Sequence, residues 1–419
     1  MKFIFRDYDF NPQTGYTTFI YGFENGPDFM ETVRFKMPDS GEYDKESLDK
    51  ALKLAFILVG VSYWKTFGDA DVELPFEIDA AQADFFNAAY QEGMGQYAFE
   101  NSLTRDNLAH FVATTDDNRE SSNYGGTGVL LPQSGGKDSL LVTSILRERN
   151  EPFVPAIITN SQHHPAVLDE LGGELIMIIR GIDRDGLRDA ADDGAKNGHV
   201  PVTYIVESLL LVQAILLNKK QIFVSIGREG EEPHSFIGDL AVNHQWSKTW
   251  HAEQLFSRYV HDYISPDIEI GSPIRRYSEL KIAELFVQHA WSEFGDRFSS
   301  CNLANYRQNV DNSVLKWCGD CPKCANSFLI LAPFAEPAEL KQLFDGQDLL
   351  AKESLFDTFK GLLGVDGAMK PFECVGEVEE LRAAYQMTMD RGGYAKLPFD
   401  VPRSDFDYNK EYEHGDIAI

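Results

Sequence analysis

A chain of 419 residues, 43% hydrophobic and 25% charged, has the makeup of a globular enzyme of two or three domains, and is too ordinary for disorder or a fibre. Its 38 basic and 66 acidic side chains leave a net charge of −28, so phosphate backbones are poor partners and no nucleic-acid substrate is expected. The longest apolar runs, such as Leu54 to Val61, fall short of the roughly 18 residues of a membrane helix, and Met1 opens a strand-like segment rather than a leader, so no membrane contact and a cytoplasmic location are expected.

Three strands are expected first, over Phe3–Phe10, Tyr16–Gly22 and Phe29–Lys36, separated by the turn clusters Asn11–Gly15 and Glu24–Pro27. Leu48, Leu52, Ala55, Phe56 and Val59 then recur at helical spacing, and Ala81–Gln91 repeats the signature after a short strand near Val72–Ile78. This reads as an α+β unit over 1–120, closed by the polar stretch Thr114–Gly126. Beyond it, short apolar runs alternate with helices. Strands are expected at Thr127–Leu131, Phe153–Thr159, Leu175–Ile179 and Ile222–Ile226, with helices at Leu140–Leu146, Pro165–Leu171 and Ser208–Leu217. That alternation predicts an α/β fold with a doubly wound parallel sheet, its ligands beyond the carboxyl ends of the strands. The second unit runs over 121–335, and a helical, acidic segment follows over 336–419.

Ser134-Gly135-Gly136-Lys137-Asp138-Ser139 stands where the first of these strands gives way to a helix. Two glycines let the backbone turn tightly with its N–H groups exposed, the serines add hydroxyls, and the helix start adds partial positive charge, so the loop suits an oxyanion. It is not a Walker loop. SGGKDS resembles the pyrophosphate loop of the N-type ATP pyrophosphatases, the superfamily of asparagine and GMP synthetases and of the 7-cyano-7-deazaguanine synthases. The resemblance implies a PP-loop (HUP-like) sheet, ATP phosphates held by Ser134 to Ser139, Lys137 at the leaving pyrophosphate and Asp138 placing Mg²⁺. It also points to Thr159, Asn160 and Ser161, at the end of the second strand, for the adenine pocket.

Cys318, Cys321 and Cys324 are three thiols at two-residue gaps, with Cys301 upstream as a fourth. The spacing suits a closed tetrahedral zinc site of structural type; an iron–sulfur cluster and unligated core thiols are the alternatives. Arg228 and Glu229, then Asn243, His244 and Lys248, fall where the carboxyl edge of the sheet leads into loops, where they could grip an anionic substrate or simply be solvated. Cys374 lies between acidic residues that disfavour its thiolate, so a buried structural thiol is the alternative to a catalytic one.

Taken in order, FRDYDFNPQTG at the start, GVSYWK (60–65), LPQSGGKDSLL (131–141), NGHVPVT (197–203), VNHQWSK (242–248), WCGDCPKC (317–324) with LAPF, and PFECVGE (371–377) resemble the ATP-dependent UDP-N-acetylmuramoyl-L-alanyl-L-glutamate epimerases of peptidoglycan synthesis. GREGEEPH (227–234) departs from that pattern. The resemblance implies inversion of the terminal L-glutamate of a UDP-muramoyl dipeptide through an acyl-adenylate, with ATP converted to AMP and pyrophosphate. Arg228, Asn243, His244 and Lys248 are then candidates for substrate binding, and His244, Lys248 and Cys374, beside Lys137 and Asp138, for catalysis. A PP-loop ligase or synthase of the deazaguanine type, or a zinc-stabilised nucleotide sensor, would carry the same loop and cysteines.

Overall fold

The computed structural model describes residues 1–161, 163–307 and 313–417. Eleven strands occur among them: β1 (Phe3–Phe10), β2 (Tyr16–Phe23), β3 (Asp28–Arg34), β4 (Val72–Glu73), β5 (Val129–Pro132), β6 (Phe153–Thr159), β7 (Ile176–Gly181), β8 (Gln221–Phe223), β9 (Ser235–Ile237), β10 (Leu240–Val242) and β11 (Glu269–Gly271). Nine of them form one sheet in the order β11-β8-β5-β6-β7-β3-β2-β1-β4, and β9 and β10 form a separate hairpin.

The sheet is α/β but mixed, which corrects the expectation of a parallel one. From β11 to β7 every pairing is parallel, with the order reversing between β5 and β8. β7 then pairs antiparallel with β3, joining the N-terminal meander edge to edge with the parallel half. Each edge thereby satisfies backbone groups that would otherwise stay open to a foreign strand. Two close contacts hold the seam. Arg180 on β7 donates from Nε to Glu31 Oε1 on β3 at 2.5 Å, and Tyr63 Oη donates to Glu31 Oε2 at 2.7 Å, with the Glu31 side chain wholly buried.

Period-two alternation sends neighbouring strand residues to opposite faces. Leu130, Ala156 and Ile222 join a core with the helices Lys45–Phe67 and Val202–Leu216. Val129, Leu131, Ile157 and Phe223 join another with the helices Lys137–Glu148, Glu279–His289, Pro322–Leu331 and Val378–Arg391. The segment expected as the helix Pro165–Leu171 forms only the 3₁₀ turn Ala166–Glu170, and Thr114–Gly126 carries neither helix nor strand.

Candidate active site

β5 ends at Pro132, and the chain turns through Gln133–Gly136 into the helix Lys137–Glu148. Gly135 takes a φ of +76°, the left-handed region that a side chain strains, and a Cβ there would meet Leu315 Cδ1 at 2.3 Å. No side chain caps the helix start at Gly136. Such a start combines unpaired N–H groups with the positive end of the helix dipole.

Lys137 is itself buried, its Nζ donating to Asp138 Oδ1 at 2.5 Å and to Glu279 Oε2 at 2.7 Å. Burial pushes the ammonium down, but the two carboxylates outweigh it and hold Lys137 above its usual range. Glu279 moves up, because burial and its neighbours Asp138 and Glu229 exceed the pull of Lys137. The lysine therefore holds two carboxylates behind the loop.

A cleft of about 360 Å³ opens over the carboxyl ends of β5, β6 and β8. Ser134, Gly136, Asp138 and Ser139 of the loop line it, together with Glu229, Lys248, Lys323 and Cys374. Val206, Glu207 and Leu210 of the helix Val202–Leu216 complete an apolar wall, where Glu207 Oε2 is buried without a hydrogen-bond partner. Burial keeps that carboxyl well above its usual range, hence protonated.

Lys248 Nζ donates to both oxygens of Glu229 at 3.2 Å. Burial pushes Glu229 up, yet the ammonium groups of Lys248, Lys323 and Lys137 prevail and hold it ionised. Lys248 stays above its usual range despite burial, through Cys374 first and Glu229 next. Behind it the buried Arg275 donates to the carbonyls of Gly227 at 2.7 Å and Lys248 at 2.8 Å and pairs with Glu253, fixing both loops to one guanidinium.

Cys374 lines the cleft and His244, 130 positions away in sequence, lies beside it without lining the cleft itself: an imidazole nitrogen, the Cys374 Sγ and a Glu373 carboxylate oxygen all lie within 4.8 Å of one another. Three hydrogen bonds position the cysteine. Gln245 Nε2 donates to the Val375 carbonyl at 2.9 Å, Lys323 Nζ to the Cys374 carbonyl at 2.6 Å, and Gly376 N to Asn326 Oδ1 at 2.9 Å. The His199 ring centroid lies 4.3 Å from that of His244 with the planes tilted by 37°, and that of His234 lies 6.4 Å away. Burial, His199, His234, Lys248 and Lys323 push His244 down to about 2. His199 and His234 fall to about 4, each through burial first. All three imidazoles are neutral at physiological pH.

The other expected residues divide. Thr159 and Asn160 line an adjoining cavity of about 240 Å³ that shares Gln133 and Ser134 with the main cleft, while Ser161 caps the turn by accepting from His163 N at 3.2 Å. Arg228 is taken up internally, with Glu377 Oε2 2.8 Å from its Nη1 and the Tyr412 ring 4.3 Å from its Cζ, so it clamps the C-terminal segment. Asn243 donates from Nδ2 to the Gly230 carbonyl at 2.6 Å and shapes the loop. Glu279, Lys323 and Gln96 escaped the sequence reading. Glu279 follows an ordinary helix cap, Lys323 hides between two cysteines, and only the glycines beside Gln96 hint at a close approach.

The Sγ atoms of Cys301 and Cys321 are 3.7 Å apart, those of Cys318 and Cys324 3.6 Å, and those of Cys321 and Cys324 3.5 Å. These are far too long for disulfides, at ~2.05 Å, and close to the ~3.8 Å edge of a tetrahedron with metal–sulfur bonds of ~2.3 Å. The four thiols form a possible metal site. It knots the segment of Ser299, Ser300 and Asn302 to the start of the helix Pro322–Leu331, and Ser299 N donates to the Gly135 carbonyl at 3.1 Å. The knot thus braces the loop and carries Lys323.

The MurL N-terminal domain matches residues 1–272 and the MurL C-terminal domain residues 297–401. A UDP-N-acetyl-alpha-D-muramoyl-L-alanyl-L-glutamate epimerase of Xanthomonas oryzae pv. oryzae is 32% identical over 413 residues, covering 97% of this chain and 90% of its own. Proteins of the same name from a Micromonospora species, 32% identical over 94% of this chain and 88% of theirs, and from Salinispora tropica, 31% identical over 94% and 86%, are similar to the same extent. With both halves matched and full-length relatives above 30% identity, the chain belongs to the MurL family.

Proposed function

We propose that this chain is an ATP-dependent epimerase that inverts the terminal L-glutamate of UDP-N-acetylmuramoyl-L-alanyl-L-glutamate through an acyl-adenylate, releasing AMP and pyrophosphate. The observation that carries this reading is one cleft in which the loop Ser134–Ser139 meets Lys248 and Cys374. The strand order β7-β6-β5-β8-β11, reversing beside that loop, supports a doubly wound nucleotide sheet of the PP-loop type. The names of the relatives support the dipeptide substrate.

The α-hydrogen of an ionised amino acid is barely acidic, because a carbanion forms beside an anion. In the proposed first step one carboxylate oxygen attacks the α-phosphorus of ATP and pyrophosphate leaves with the bonding pair. The resulting mixed anhydride has lost the carboxylate charge next to the α-carbon. Ser134, Gly136 and Ser139 hold phosphates, and Asp138 and Glu229 offer carboxylates to Mg²⁺, which would neutralise polyphosphate charge. The Lys248 and Lys323 ammonium groups stand where negative charge develops on the enolised acyl oxygen. Cys374 Sγ, with the His244 imidazole beside it, accepts the α-proton, and Lys248 is the group that returns a proton to the other face. Water then releases AMP. A zinc ion held by Cys301, Cys318, Cys321 and Cys324 would have no open position and serves the fold. The enzyme acts in the cytoplasm, in peptidoglycan synthesis.

The test is incubation with ATP, Mg²⁺ and the UDP-muramoyl dipeptide in deuterated water. AMP, D-glutamate and one α-deuterium per turnover are expected. A folded, metal-loaded protein that yields none of the three overturns the reading; AMP with amide formation from added ammonia would indicate a ligase.

A further inference from the structure

Gln96 lies on the short helix Gly95–Glu100, far in sequence from every residue of the cleft. A Cβ on Gly95 would stand 2.1 Å from the Ala241 carbonyl oxygen, so only glycine lets this helix rest against the backbone of β10. That approach brings the buried Gln96 to the loop that follows β10. Its Oε1 is 2.6 Å from His244 Nδ1, and its Nε2 donates to Glu100 Oε1 at 2.6 Å.

The chain of contacts has one direction. Glu100 Oε1 accepts the amide N–H of Gln96, which turns the amide oxygen toward the imidazole. That oxygen also only accepts, so the imidazole hydrogen sits on Nδ1 and the lone pair on Nε2. The same ring stands within 4.8 Å of Cys374 Sγ and the Glu373 carboxylate. We propose that Gln96, oriented by Glu100, is a positioning residue that fixes His244 as the Nδ1–H tautomer, so that the Nε2 lone pair is available to the thiol proton of the neighbouring Cys374. On activation the S–H bond breaks, its electron pair stays on sulfur, and the proton passes to Nε2.

The surroundings make that transfer depend on substrate. Burial, His199, His234, Lys248 and Lys323 oppose an imidazolium at His244, and the Glu373 carboxylate stands beside the same ring. An anionic acyl phosphate beside Lys248 and Lys323 offsets those cations and lets the imidazole accept. This step rests on the epimerase reading, whereas the tautomer does not.

Histidine-selective ¹⁵N labelling, with the His244→Gln variant to assign the signal, reads the tautomer in the free protein. Nδ1–H is expected in the native chain and in Gln96→Glu, which keeps an acceptor, with a shift toward Nε2–H in Gln96→Met. Iodoacetamide labelling of Cys374, followed by peptide mass spectrometry, should accelerate about tenfold with ATP and dipeptide in the native chain but not in Gln96→Met. α-Deuterium incorporation should fall about 10- to 100-fold in Gln96→Met with AMP formation kept, and recover in Gln96→Glu. An Nε2–H tautomer in the native chain, or a Gln96→Met variant that matches it in tautomer and Cys374 labelling, overturns the proposal. Absence of AMP and D-glutamate with the expected tautomer shifts would overturn the epimerase reading alone.

Discussion

The two ends of the cleft solve opposite electrostatic problems. Behind the loop Ser134–Ser139, the buried Lys137 ammonium is paired at hydrogen-bond distance with the carboxylate groups of Asp138 and Glu279. At the other end three imidazoles crowd together and all stay neutral, because burial and nearby ammonium groups forbid a further positive charge. Buried charge is tolerated only when paired, and otherwise the group discharges. The loop end is a network of paired charge, whereas the histidine end keeps proton-accepting capacity in reserve. Binding and proton transfer should accordingly be separable by mutation.

The hardest blow falls on the loop end. Lys137→Met should abolish AMP formation, with a loss of at least about 10²-fold in a pyrophosphate-release assay. It should also lower stability by about 3–5 kcal/mol in urea titration, since Asp138 and Glu279 lose their counter-charge. Adding Glu279→Gln should restore much of the stability and none of the activity. Joint recovery would mean that the lysine is purely structural.

Cys374→Ser should reduce α-deuterium incorporation by about 10²–10⁴-fold while leaving AMP formation in place, as measured by parallel mass and pyrophosphate assays. If both reactions vanish together in a folded variant, the cleft is one unit and the comparison fails.

The smallest effect sharpens the picture beneath the loop end. Glu380 is buried, accepts from Leu280 N at 2.7 Å beside Glu279, and is pushed up to about 8, through burial first. Its native form therefore holds a proton that the unfolded chain releases near pH 4.5, so its contribution is complete below that pH and is lost as pH rises toward 8. Glu380→Gln should flatten the decline of thermal stability between pH 5 and 8 by on the order of a few kcal/mol, read from melting curves. An unchanged slope would show that this carboxyl does not titrate in the native state.

The sequence by itself determined whatever a short segment can encode. The strand Phe3–Phe10 ends where its alternation ends and Phe153–Thr159 where its apolar run ends, and the SGGKDS turn holds in one stretch both the glycines and the helix start that suit an oxyanion. The cysteine spacing likewise puts three thiols in one turn, although only the fold brings Cys301 beside Cys321. What the tertiary structure alone decided is non-local. Nothing in β3 or β7 says that their edges will join, because edge pairing depends on which backbone groups remain unpaired once both halves have formed. His244, Cys374 and Gln96 come from three distant segments, drawn together by bonds such as Gln245 to Val375 and by the missing Cβ of Gly95. Their chemistry follows from burial and from the field of neighbours, and neither exists until the chain has closed around them.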